Sequence, residues 1–363
     1  MNNFFENIFD SINGLDIEAN KEMLLLKSMI EAKPDEVEPY ILLGTALAYY
    51  DHINEAITVF EKLLCEFPDN VKCLLNLGSA YFYVGDNEKA IEFYEKAITL
   101  DPEGYTSYLN LANVFAELGQ FEHALDLYNK ALNLNPGNSE INSAIGLLYQ
   151  DFGKVEEAYS YFKKASELIP GDYENCINLA SVAMQTEKLD EAVDCYKRAA
   201  KINKKDYKSL ICIGNALSEQ SKFTEAKKYY LKALKIKPDF AKAYLCYGIS
   251  LSESGKINEA ISNYKKAAKI DLSDYKINII LANAQVEKGQ YSDAIENYNI
   301  SLQKNPDNIV SYVALGHVFA MKGEIEEAVN YYRKASKLEP ENEEISTIYI
   351  DALEEYMSKQ TYS

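Results

Sequence analysis

Apolar residues recur at intervals of three and four along almost the whole chain, which predicts amphipathic helices rather than strands. Prolines divide this pattern. Pro34, Pro68, Pro102, Pro136, Pro170, Pro238, Pro306 and Pro340 fall on one lattice with a spacing of 34, and only Pro39 lies off it. Lys204 and Leu272 occupy the two vacant lattice points. With proline at position 32, the lattice defines nine 34-residue units over residues 37–342.

Other positions repeat with the prolines. Position 8 is small: Gly44, Gly78, Ala112, Gly146, Ala180, Gly214, Gly248, Ala282 and Gly316. Position 20 is alanine throughout, from Ala56 to Ala328, and position 24 is always aromatic, from Phe60 to Tyr332. Position 15, between the two halves, is glycine in six units, including Gly85 and Gly119. Glycine there allows the left-handed conformation that ends a helix and turns the chain. Small residues at 8 and 20 let two helix axes approach, and the ring at 24 fills space between hairpins. Proline at 32 stops the second helix.

These positions resemble the tetratricopeptide repeat family, whose units carry an aromatic near 4, Leu-Gly at 7–8, an aromatic at 11, alanine at 20, an aromatic at 24, alanine at 27 and proline at 32. The ninth unit matches at every point with Tyr312, Leu315, Gly316, Phe319, Ala328, Tyr332, Ala335 and Pro340. The eighth departs, with Asn278, Gln285 and Ser301. The resemblance implies an all-α fold, a right-handed α-solenoid of antiparallel helix pairs that turns about once as a superhelix. Residues 1–36 are expected to form a degenerate N-terminal cap, residues 37–342 the nine repeats, and residues 343–363 a closing helix and tail.

Composition narrows the function. A net charge of -19 and a pI near 4.7 argue against binding nucleic acid or anionic membrane. The amino terminus lacks a basic leader region, and the apolar run at 40–50 is too short to span a bilayer, so a soluble, cytoplasmic protein is expected. Six cysteines without a CxxC pair read as reduced thiols. Charge is uneven: residues 195–270 hold 17 lysines and arginines against 6 acids.

The resemblance places first-helix positions 2, 5, 6, 9, 12 and 13 on a concave face. Position 5 is apolar in eight units, with Ser143 the exception, which excludes the lysine-based carboxylate clamp that some family members use. Asn76, Asn110 and Asn178 stand at position 6, and Asn113, Asn215 and Asn283 at position 9. An amide both donates and accepts, which suits the backbone of an extended peptide. The series resembles the asparagine ladder in the repeats of protein O-linked N-acetylglucosamine transferases; capping of loops and binding of water are the other uses of such amides. Tyr49, Phe82 and Tyr83 at positions 12 and 13 offer an aromatic patch, and Glu117, Asp151, Glu219, Glu253 and Glu287 at position 13 favour a basic ligand segment. Packing between helices and a solvated rim are the competing uses of these two sets.

No nucleophile, phosphate-loop or metal-ligand spacing appears, and the three histidines, His52, His123 and His317, have no metal-binding partners in sequence. The expectation is a non-catalytic scaffold without cofactors that holds a protein or peptide partner in the concave groove. Self-association through unlike charges, and service as an accessory subunit of a separate enzyme such as a glycosyltransferase, are the alternatives.

Overall fold

The computed structural model describes residues 21–33 and 36–361, and among them every regular element is an α-helix. The chain divides into two compact units, residues 1–175 and 176–363. Most of the expected N-terminal cap, residues 1–20 and 34–35, lies outside the described residues. Its second half is α1 (Lys21–Ala32), which packs on α2 (Glu38–Tyr49) and buries Met23, Leu26 and Ile30.

Within the first unit, each first helix is followed by an antiparallel second helix. Thus α2 pairs with α3 (Ile53–Glu66), α4 (Val71–Tyr83) with α5 (Asn87–Leu100), and α6 (Tyr105–Glu117) with α7 (Phe121–Leu134). Each second helix also packs on the next first helix, so the core runs on from Met23 to Val114 without a break. The second unit repeats the scheme, for example in α16 (Tyr275–Glu287) and α17 (Tyr291–Lys304), whose core includes Ile279, Ala282, Tyr298 and Leu315. A 19-residue helix, Glu343–Thr361, packs on the last hairpin and buries Ile345. The architecture is an all-α solenoid of helix pairs. None of the described helices is long and apolar enough to cross a membrane.

The repeated residues explain why the units fold alike. The turn inside each hairpin holds one residue with positive φ, as at Gly85 (83°). There Asp86 N–H donates to the Tyr81 carbonyl and Gly85 N–H to the Phe82 carbonyl, which satisfies two helix-end acceptors. Units without glycine at this point use Asp51, Glu187 and Ser221 in the same conformation. Some of the first helices that follow a lattice proline are capped by asparagine, as where the Asn70 and Asn138 side chains accept from the Cys73 and Ile141 amides. The alanines at position 20 are fully buried in all nine repeats. All six cysteines are free thiols.

Candidate functional site

In four hairpins the residues at positions 9 and 24 form a hydrogen-bonded pair. Burial makes an unpaired hydroxyl costly, so each buried tyrosine at 24 needs an acceptor or donor nearby. Tyr128 donates its hydroxyl to Asn113 Oδ1 at 2.7 Å, Tyr230 to Asn215 Oδ1 at 2.8 Å and Tyr298 to Asn283 Oδ1 at 2.5 Å. Tyr94 is 3.0 Å from the Ser79 hydroxyl. Where the ring is phenylalanine, as at Phe60 and Phe162, position 9 holds Thr45 and Leu147. Burial raises the tyrosine hydroxyls well above their ordinary value, that of Tyr298 to about 12. Three of the six candidate asparagines thus have a structural task on their carbonyl oxygen. That pairing is visible in sequence only as a correlation between two positions.

The position-6 asparagines are different. In the first unit Asn76 and Asn110 are half-buried, and neither side chain makes a hydrogen bond among the described residues. Asn178, in the second unit, is half-buried with its amide likewise unused. Asn76 lines a hollow of about 180 Å³ together with Thr45, Ala48, Phe60, Ser79 and Tyr83. The first helices α4 and α6 therefore carry amides that the fold itself does not consume.

The aromatic candidates separate in the same way. Tyr49 is 82% and Tyr83 69% exposed, whereas Phe82 is half-buried and packs against the hydrophobic core. Tyr49 lines a larger hollow of about 620 Å³ with Leu25, Leu26, Met29, Leu42 and Ala46. Tyr83 reaches Asp51 Oδ1 at 3.4 Å.

The five acids at position 13 are all exposed. Glu117 and Asp151 belong to the first unit and Glu219, Glu253 and Glu287 to the second. Partial desolvation of its carboxyl, with the Glu253 and Glu187 charges close by, raises Glu219 above its ordinary value. A raised folded-state value means that the ionised form weakens the fold at neutral pH. Glu219→Gln is therefore expected to raise the melting temperature at neutral pH. The gain should vanish below the unfolded-state value of about 4.3. Melting curves across pH check this, and a gain that persists in acid would refute it. Among the described residues no group of three or more acids, histidines or cysteines could hold a metal ion.

Family models match this architecture along most of its length. The model for the C-terminal domain of cilia and flagella-associated protein 70, a tetratricopeptide model, matches residues 65–276, more than half of the chain. TPR repeat models match residues 282–323 and 309–342, the second of these coinciding with the ninth 34-residue unit. The chain belongs to the tetratricopeptide repeat family. No curated protein matches it. Among solved structures, this tetratricopeptide protein is similar to YrrB, described as a TPR protein with an unusual peptide-binding site. Identity is 24% over 55% of this chain and all of that one, with a TM-score of 0.49. It is also similar to MamA (26% identity, 48% of this chain and 96% of that one, TM-score 0.45). PilF of Pseudomonas aeruginosa is a third (21% identity, 59% and 97%, TM-score 0.48).

Proposed function

We propose that this tetratricopeptide protein is a non-catalytic interaction scaffold whose first-helix face holds an extended segment of a protein partner. The observation that carries the reading is the split among the asparagines. Asn113, Asn215 and Asn283 give their carbonyl oxygens to the fold, while Asn76 and Asn110 leave both amide functions available. An extended backbone offers alternating donors and acceptors, and an amide meets either one. Tyr83 beside Asn76 supplies an apolar surface for a side chain. Glu117, exposed at the end of α6, adds a preference for basic residues in the bound segment.

The test is selection of binding peptides from a random library, followed by calorimetry. Replacing Asn76 and Asn110 together by alanine is expected to weaken the selected peptides at least tenfold, roughly 1.4 kcal/mol, with the melting temperature unchanged. Equal affinity in the double variant would remove the amides from the account. Growth of oligomers at low salt, without any peptide binding, would favour self-association through the basic stretch 195–270 instead.

A further inference from the structure

The eighth repeat carries a polar chain where the ninth carries rings. Positions 4, 11 and 23 hold Asn278, Gln285 and Asn297, whereas the ninth repeat has Tyr312, Phe319 and Tyr331 there. In the ninth repeat these rings pack together, Phe319 on Tyr331 at 5.3 Å between centroids. In the eighth, the smaller amides leave a hollow of about 520 Å³, within the range of small-molecule sites. Its walls include α16, α17 and the end of the preceding second helix, Ile257–Ile270.

The amides form a chain of one direction. Lys304 Nζ donates to Asn278 Oδ1 at 2.6 Å, and Asn278 Nδ2 donates to Asn297 Oδ1 at 3.2 Å. Asn297 Nδ2 donates to Gln285 Oε1 at 3.0 Å and to the Asp293 backbone carbonyl at 3.0 Å. Both fixed points are unambiguous, because an ammonium only donates and a carbonyl only accepts. They set the orientation of all three amides. The chain must then end on the Gln285 Nε2 group as a donor. Gln285 is 1% exposed, it lines the hollow, and its Nε2 is buried with no partner. Each link polarises the next, so the terminal N–H is a stronger donor than an isolated amide.

We propose that this hollow binds a small carboxylate-bearing molecule whose oxygen accepts from Gln285 Nε2. The surrounding charge agrees with an anion: Lys265, Lys269 and Lys304 line the hollow against Asp293 and Glu296. The site is independent of the peptide-holding face, because it uses positions 4, 11 and 23 and none of the candidate groove residues.

Glutamine-selective nitrogen labelling of the full chain supplies the readout, with the Gln285 side-chain signal assigned by its loss in Gln285→Met. Titration with succinate is expected to displace that signal saturably, and titration with the diamine putrescine is expected to leave it in place. Calorimetry with succinate should show at least tenfold weaker binding in Gln285→Met and in Gln285→Glu, which turns the donor into an acceptor. The proposal is overturned if succinate leaves the signal unmoved, if putrescine moves it equally, or if a folded Gln285→Met variant binds succinate undiminished. The wild-type titrations decide even where a variant does not fold.

Discussion

Replacing Gly78 by leucine should cost the first compact unit a large part of its stability. A Cβ at Gly78 would lie 2.7 Å from Tyr94 Cε1 and 2.9 Å from Cδ1, closer than carbon atoms can approach. The ring cannot swing aside freely, because Tyr94 is 1% exposed and its hydroxyl is held at Ser79. Alanine alone is tolerable after a small shift, as Ala112 stands at the same position of the third repeat beside Tyr128. Gly78→Ala is therefore placed within the usual overpacking cost of about 1–3 kcal/mol. Leucine brings three more carbons into a space already filled, so its cost should exceed that range, against a typical total of about 5–15 kcal/mol. Urea unfolding followed by circular dichroism measures both variants. An unshifted leucine midpoint would mean that the two helices of this hairpin are not close-packed at this point.

Asn113→Leu should destabilise the same unit for a different reason. It leaves the hydroxyl of Tyr128, a residue 3% exposed, without its acceptor. An orphaned buried donor costs about 1–3 kcal/mol. Tyr128→Phe in the Asn113→Leu background should restore most of the loss, because the fourth repeat already uses Leu147 with Phe162. The double-mutant cycle isolates the pair. Additive losses without rescue would show that Asn113 acts through something other than the tyrosine.

Much of the architecture is legible in the sequence because it rests on strict positional demands. Alanine at 20 and a ring at 24 answer steric requirements that recur in every hairpin, and proline at 32 marks the end of the second helix in seven of the nine. The turn keeps its conformation even where glycine is missing, since Asp51, Glu187 and Ser221 take the same positive φ. The candidate site is less legible. Six asparagines look alike in sequence, yet the hydroxyl of the opposed tyrosine commits those at position 9 and leaves Asn76, Asn110 and Asn178 uncommitted. Phe82 and Tyr83 are neighbours in sequence, but the helix turns one into the core and the other to solvent. Asn278 and Gln285 are visible as departures from the repeat. Their meaning depends on Asn297 and Lys304, which become their partners only after the hairpin closes.

Photo-crosslinking of a library-selected peptide tests the central reading most directly. The photoreactive p-benzoylphenylalanine is placed in one protein at Tyr83, at the end of a first helix, and in another at Lys130, exposed on the second helix α7. Attachment of the peptide from position 83, with none from position 130, is the expected result. Attachment from position 130 and none from position 83 would place the partner on the opposite helices and contradict the account.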